Sequence, residues 1–211
     1  PIVDLADSRL AGIEALVRWQ HPERGLVSPG EFIEIAEENG AILPIGRWIL
    51  REACREAASW STVDPSVFLC VNVSAREIQQ PGFVDAVHEA LAEAGMAPTR
   101  LTLEITETAL LKATPKTIAT LEALRQLGVR VAIDDFGTGY FSLSHLRQFP
   151  VDALKIAREF TQEVDGGPTR RTSALAGAIV AMARSLGIDT VAEGIETGAQ
   201  ASRMRSLRCT Y

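Results

Sequence analysis

The sequence predicts an α/β protein in which strands and helices alternate along the chain, and we expect a (β/α) barrel. Short apolar runs typical of buried strands recur between helix-like stretches, and Gly128 and Gly187 each separate a helix from the next strand. Polar residues lie near the carboxyl ends of these runs, where a barrel collects its functional groups. A doubly wound sheet is the alternative, but it usually carries a glycine-rich phosphate loop after its first strand, and the sequence has none there.

The composition fits one globular domain with a sizeable core, because 46% of the 211 residues are hydrophobic and 23% are charged. The net charge of -6 and the lack of a long basic block argue against extended nucleic-acid binding. No apolar run reaches membrane-spanning length and no signal peptide is visible. Cys54, Cys70 and Cys209 lack close pairing and are interpreted as core thiols of a reducing compartment, so we expect a cytoplasmic location. The three histidines lack metal-ligand spacing, which disfavours zinc.

The first third of the chain is predicted to form a hairpin and two helices. Residues 2–18 contain two strand-like runs joined by a polar turn, and the second run carries Glu14. A helix is predicted from an N-cap at Ser28 to Gly40, and a longer one over residues 43–60. The longer helix has an apolar stripe at helical spacing that predicts its core face, formed by Ile45, Trp48, Ile49, Ala53 and Ala57.

The later strands share a polar residue near the carboxyl end. They are predicted at residues 67–73, at 101–106, in a run beginning at residue 129, at 153–156 and at 190–192, with helices near 81–94, 114–127, 171–186 and up to 208, and a short helix through Ser144. Their polar residues are Asn72, Glu104, Asp134 with Asp135, Lys155 and Glu193. Any one of them could be a solvated surface group, and Asp135 could merely cap a turn before Gly137. Recurrence on independent strands favours a shared site.

The candidate ligands are oxygen donors, which favour hard cations such as Mg²⁺ or Mn²⁺. Five carboxylates exceed what one Mg²⁺ ordinarily takes from a protein, so two ions could share Asp134 and clamp a phosphodiester. Lys155 would orient or deprotonate the attacking water, or stabilise developing charge. Arg18 suits a phosphate oxygen that no metal holds.

Six ordered motifs resemble the EAL-domain family of cyclic di-GMP phosphodiesterases. They are Glu14-Ala15-Leu16 followed by Arg18-Trp19, then VNVSA, EITET, DDFGTGY, LKI and AEGIET, and they cover nearly the whole chain. The resemblance implies a variant TIM (β/α)8 barrel with an antiparallel first strand. It also implies hydrolysis of cyclic di-GMP to linear pGpG with two Mg²⁺ or Mn²⁺ ions, a homodimer, and fusion to sensory or GGDEF-type cyclase domains.

The resemblance also implies residue roles. The metal ligands would be Glu14, Asn72, Glu104 and Asp134, with Asp135 serving the second metal. Lys155 would be the general base and Glu193 would bind metal or its water. Glu107 and Glu196 would order loops, while Leu16 and Arg18 would contact the substrate. Residues 136–141 would form a mobile loop coupling metal binding to the dimer surface.

Three features depart from the family pattern. Ala157 replaces an aspartate beside the catalytic lysine, and Phe141 stands where serine is common. The chain ends at Tyr211, before the Gln-Gly-Tyr segment of the eighth strand, so we expect a single domain over residues 1–211 that is truncated at both ends, with the last strand missing. The first and third features motivate a rival hypothesis, a receptor or scaffold that binds cyclic di-GMP without turnover. Another metal-dependent barrel phosphoesterase is a weaker third hypothesis.

Overall fold

Seven strands form one sheet that curls into a nearly closed barrel in the computed structural model, which describes residues 1–60, 64–111, 113–139, 146, 148–162 and 170–211. The strands of this sheet are β1 (Ile2–Val3), β2 (Leu10–Ala15), β5 (Phe68–Asn72), β6 (Leu101–Thr106), β7 (Arg130–Phe136), β8 (Ala153–Ile156) and β9 (Asp189–Ala192). A separate hairpin pairs β3 (Trp19–His21) with β4 (Gly25–Val27). The sequence analysis did not predict this second hairpin.

Helices follow most of the strands. In the described part of the chain they are α1 (Ile33–Asn39), α2 (Ile42–Ser59), α3 (Ala75–Ile78), α4 (Phe83–Ala94), α5 (Glu107–Leu111), α6 (Pro115–Leu127), α7 (Arg158–Gln162), α8 (Arg170–Ser185) and α9 (Gly198–Ser206), with 3₁₀ turns at Pro29–Glu31 and Pro98–Arg100. The helix predicted to start at Ser28 is therefore a 3₁₀ turn followed by α1. Phe141 and the short helix predicted through Ser144 lie outside the described residues.

The barrel has the predicted antiparallel first strand. β1 pairs antiparallel with β2, and each later neighbour in the sheet pairs in parallel. At the other edge, the Tyr211 N–H donates to the Thr190 carbonyl at 2.9 Å and the Leu5 N–H donates to the Thr210 carbonyl at 3.0 Å. Residues 210 and 211 thus lie between β9 and the segment after β1, where an eighth strand would run.

The amino end of the barrel is closed by a layer of large side chains. The ring of Phe68 lies 5.6 Å from the ring of Tyr211, and the Arg130 guanidinium lies 6.0 Å from the Phe68 ring centre. Arg130 of β7 also donates to Asp189 of β9, the next strand but one, at 2.5 Å. A Cβ atom at Gly12 would lie only 2.4 Å from the Phe68 ring, so this layer depends on the glycine. Functional groups are consequently confined to the opposite, carboxyl end.

The predicted core face of α2 is confirmed in part, since Ala57 is buried and Ile49 and Ala53 pack against the core, but its centre is shifted by about one position. Trp48 is 58% exposed, and the residues that α2 buries are Ile42, Gly46, Leu50, Cys54 and Ala57. The rotation has a physical cause, because a Cβ at Gly46 would lie 1.7 Å from the Glu77 carboxylate of α3. A glycine at the closest contact carries no hydrophobic signal, so the apolar pattern alone misplaced the face.

Two predictions about the chain as a whole can be compared with the fold. All three cysteines are free and buried, as predicted for core thiols. Among the helices that the structure describes, none is both long and apolar enough to cross a membrane.

Gly12→Ala should destabilise the barrel by about 1–3 kcal/mol, because the new methyl group must displace the Phe68 ring from a filled layer. Urea unfolding would measure this. Gly198→Ala is the matched control, since nothing lies within 4 Å of the Cβ position there. Equal stabilities of the two variants would contradict the packing argument.

Glu77→Gln should gain stability relative to the parent as the pH rises. Burial raises the pKa of Glu77, and the hydrogen bonds from Ser74 only partly offset this. The folded state therefore holds the proton more tightly than the unfolded chain, and that stabilisation is lost as the pH rises above the ordinary glutamate pKa and through the higher pKa of the folded state. Urea unfolding across this range would test it, with exposed Glu122→Gln as the control. A difference between parent and Glu77→Gln that does not change with pH would refute the interpretation.

Candidate metal centre at the carboxyl end of the barrel

The parallel register brings the polar ends of neighbouring strands to one place. Asn72 of β5 lies opposite Glu104 of β6, and the Glu193 N–H, directly after β9, donates to the Ile156 carbonyl of β8 at 3.1 Å. The side chains assembled in this way are Glu14, Asn72, Glu104, Asp134, Asp135, Lys155 and Glu193. The structure therefore brings together all of the strand-end residues that the sequence singled out.

Lys155 lies at the centre of this cluster. Its Nζ atom is 2.7 Å from Glu104 Oε2, 2.8 Å from Glu193 Oε1, 2.9 Å from Asp134 Oδ1 and 3.5 Å from Glu14 Oε1. The lysine side chain is only 3% exposed. One ammonium group is thus enclosed by carboxylates from four other strands or strand ends.

Hydrogen bonding and burial fix the inner carboxylates. The Asn72 Nδ2 amide donates to Glu14 Oε1 at 2.8 Å, which orients that carboxylate toward the cluster. Glu104 is 1% exposed, and its bond to Lys155 is a charge-assisted one. These contacts hold the ligands supplied by β2, β5 and β6 on rigid elements.

The cluster carries more negative charge than Lys155 offsets. Burial opposes the charged form of Lys155, but the carboxylates around it, Glu104 first, raise its pKa above the ordinary value. Burial raises the pKa of Glu104 to about 8, even though Lys155 acts in the opposite direction. Burial also raises the pKa of Glu193 to about 7, with Asp134 adding to the effect. Such a cluster favours a further cation.

Asp135 forms a turn and also joins the cluster. Its backbone has φ 53°, its N–H donates to Asp134 Oδ1 at 3.0 Å, and its carbonyl accepts from the Thr138 hydroxyl at 2.9 Å. Oxygen atoms of Asp134, Asp135 and Glu193 nevertheless lie within 4.8 Å of one another. The turn interpretation and the metal-ligand interpretation are therefore compatible, because the backbone makes the turn and the side chain faces the other carboxylates.

The two predicted loop-ordering carboxylates lie on either side of the cluster. Glu107 is 1% exposed and accepts the Gly137 N–H at 2.8 Å. A Cβ at Gly139 would lie 2.3 Å from Glu107 Oε1, so the loop after the aspartates wraps closely over this carboxylate. Glu196 lies in the loop after β9 and pairs with Arg158 at the surface.

Leu16 and Arg18 lie beyond the carboxylates. Leu16 is 56% exposed and lines a cavity of about 500 Å³ that also touches Asn72 and Thr106. Arg18 is exposed and donates to the carbonyl of its neighbour Val17 at 2.7 Å. The sequence analysis missed the helical wall of this cavity, which includes Ile33, Ile42, Gly46 and Ile49. Such residues have the spacing of ordinary core positions, so no sequence signal distinguishes them.

Cys70 and Thr102 form the floor of the site and were also missed. Cys70 lies opposite Glu14 on one side and Thr102 on the other. Burial and the hydrogen-bonded Glu104 raise the pKa of the Cys70 thiol, which favours its neutral form. Among the described residues, the buried Thr102 hydroxyl has no hydrogen-bond partner.

The residues present fit a hard divalent cation. The donors are carboxylate oxygens and one amide, three of the carboxylates approach within 4.8 Å, and burial raises the pKa of Glu104 and Glu193. Oxygen ligands of this kind suit Mg²⁺ and Mn²⁺.

Comparison with known proteins gives a consistent result. The model of the EAL domain matches residues 1–211. An uncharacterized signaling protein of Caulobacter vibrioides is 44% identical over 209 residues, covering 99% of this chain and 25% of the relative. The cyclic di-GMP phosphodiesterase NbdA of Pseudomonas aeruginosa is 44% identical over 210 residues, covering 99% of this chain and 27% of the relative.

The solved structure of the PaMucR phosphodiesterase in complex with c-di-GMP has the same fold. It superposes with a TM-score of 0.93 at 40% identity, covering 100% of this chain and 85% of that one. The chain spans about a quarter of the length of the two curated relatives. Since the domain model covers the whole chain, this protein belongs to the EAL domain family.

Proposed function

We propose that this domain hydrolyses cyclic di-GMP to linear pGpG with two Mg²⁺ or Mn²⁺ ions held at the carboxylate cluster. The observation that carries the proposal is the convergence of four carboxylates on Lys155 at the carboxyl end of the barrel, with the Asp135 carboxylate beside Asp134 and Glu193. The name of NbdA as a cyclic di-GMP phosphodiesterase and the c-di-GMP bound to PaMucR support the choice of substrate.

The cluster divides into two ligand groups around Asp134. Glu14, Asn72, Glu104 and Asp134 would hold one ion, and Asp134, Asp135 and Glu193 would hold the other. Ions bound there supply Lewis-acid activation of water and offset the negative charge of the phosphodiester.

Lys155 and Glu193 are the two groups placed to act on the attacking water. The carboxylates raise the pKa of Lys155, so its ammonium donates hydrogen bonds and stabilises charge on the phosphate oxygens. Glu193 Oε1 lies 2.8 Å from Lys155 Nζ, so the two groups face the same point of the site. Lys155 and Glu193 would therefore orient the attacking water together, with Glu193 also serving the second ion.

The cavity beside Asn72 would receive the part of the substrate next to the scissile phosphate. Leu16 gives it an apolar edge that suits a planar base, and exposed Arg18 is free to turn toward a phosphate oxygen. We further propose that the domain acts as a homodimer within a longer protein that carries sensory or GGDEF-type domains. The small share of the relatives' length that it covers supports the additional domains.

One observation favours the rival function, binding of cyclic di-GMP without turnover. Ala157, where the family pattern has aspartate, is 3% exposed directly after β8 and leaves one acidic group fewer beside Lys155. The hydrolase and the receptor would both bind cyclic di-GMP, but only the hydrolase would form linear product.

Glu14→Ala should abolish formation of linear product, lowering the rate by roughly 10³-fold or more, because it removes a metal ligand and the acceptor of the Asn72 amide. The assay incubates the protein, extended past Tyr211, with cyclic di-GMP and Mg²⁺ or Mn²⁺ and separates linear product chromatographically. Exposed Glu122→Ala is the matched control. Binding without product in the parent would reject the hydrolase and favour the receptor, and product unaffected by Glu14→Ala would reject the assigned site.

Lys155→Met should destabilise the metal-free protein by about 3–5 kcal/mol, since it leaves buried carboxylates without their counter-charge. Added Mn²⁺ should raise the melting temperature of the variant more than that of the parent, because a cation then replaces the missing ammonium. Thermal unfolding with chelator and with Mn²⁺ measures both effects. An equal Mn²⁺ shift in both proteins would show that Lys155 does not neutralise the metal ligands.

A further inference from the structure

Helix α7 (Arg158–Gln162) starts just after β8 and contacts the two loops that carry the second ligand group. One is the turn that follows Asp135, and the other runs from Glu193 to Glu196. None of the helix's own side chains belongs to the cluster of Asp134, Asp135 and Glu193. Phe160 and Thr161 are buried while Arg158, Glu159 and Gln162 are exposed, so one face of the helix packs against the barrel core.

Thr161 ties α7 to the backbone of Glu193. Its side chain is buried with 0% exposure, and its hydroxyl donates to the Glu193 carbonyl. The same oxygen lies 2.8 Å from the Arg158 carbonyl, as is common for a helical threonine. A fully buried hydroxyl that reaches a residue 32 positions away fixes the place from which the Glu193 carboxylate extends.

Arg158 holds the same loop from the solvent side. Its guanidinium pairs with Glu196, and its aliphatic stem packs on Gly194, where a Cβ would lie 2.3 Å from Arg158 Cγ. Gly194 has φ 67°, a conformation that favours glycine. The loop after β9 is therefore held at both its first and its last residues by α7.

Phe160 supports the opposite loop. It is 6% exposed, and a Cβ at Gly137 would lie 2.8 Å from its ring. Gly137 has φ 102° and also donates its N–H to Glu107. The turn that presents Asp135 thus rests on α7 from below and is bound to Glu107 on another side.

We propose that α7 positions the second ligand group, with Thr161 as the positioning residue for Glu193, by fixing the distance between the Asp135 and Glu193 loops. This inference rests on the proposed function, because it assigns the second ion to these loops. The first ligand group lies within strands β2, β5, β6 and β7, and none of the contacts described above for Arg158, Phe160 and Thr161 reaches it, so disturbing α7 should weaken one ion more than the other.

Thr161→Val removes the hydroxyl at nearly constant volume, and Thr161→Ser, which keeps it, is the matched control. Mn²⁺ titration by calorimetry and electron paramagnetic resonance reports how many ions bind and whether they are coupled. We expect Thr161→Val to bind one ion as the parent does and the second roughly 10- to 100-fold more weakly. Its kcat should fall with little change in KM and recover at high Mn²⁺, while Thr161→Ser should match the parent.

Arg158→Met provides a second test if Thr161→Val does not fold. Arg158 is exposed, and replacing it removes the ion pair that holds the same loop from the solvent side. It should weaken the second ion in the same direction. Equal, coupled binding of both ions in the variants and the parent would overturn the role of α7, as would an equal loss in Thr161→Ser. If the parent protein binds no Mn²⁺, the proposed function is overturned instead. If the parent binds two ions but does not hydrolyse cyclic di-GMP, the hydrolase activity is rejected, and the Mn²⁺ titration of the variants still decides the role of α7.

Discussion

The ion cluster around Lys155 is the interaction on which the rest of the structure depends. Several carboxylates at low exposure repel one another, and a single ammonium within 3.5 Å of four of them only partly offsets that repulsion. A chain can keep such groups together only if rigid elements prevent them from moving apart. Parallel strands do so, because their backbone hydrogen bonds fix each side chain in register with its neighbour.

The two ends of the barrel are filled by side chains of different size. At the amino end, Phe68 and Tyr211 place large rings in contact, and an ion pair between Arg130 and Asp189 joins β7 to β9. Just below the cluster the strands place small side chains, such as Ala132 two residues before Asp134 and Ala153 two residues before Lys155. Small residues at that level leave room for the long side chains above them to meet at the barrel axis. Large side chains therefore close the amino end of the barrel, and the charged side chains meet at its carboxyl end.

The sequence predicted the strands and their polar ends well because both depend on local rules. Alternation along 101–106 puts Glu104 on the inner face, and the observed strand β6 has the same bounds. The centre of the α2 core face was shifted by about one position because Gly46 contacts Glu77, a tertiary contact without a local signal. The cavity wall was missed for the same reason. The direct contacts of Lys155 Nζ with four carboxylates were not predicted. They depend on the lengths of side chains that come from several strands, and the sequence of one strand does not contain this information.

The two proposed ligand groups differ in what determines their geometry. Glu14, Asn72 and Glu104 lie within strands, so the sheet fixes them before any ion or substrate binds. Asp135 lies at the register shift between Ile133 and Phe136 of β7, and Glu193 directly follows β9, so local contacts contribute more to where these two side chains lie. Substitutions in the surrounding loops and in α7 can therefore change the second group while the barrel stays intact. Ala157 fits this division, since it lies at the junction of β8 and α7 and reduces the negative charge near Lys155 without altering a strand.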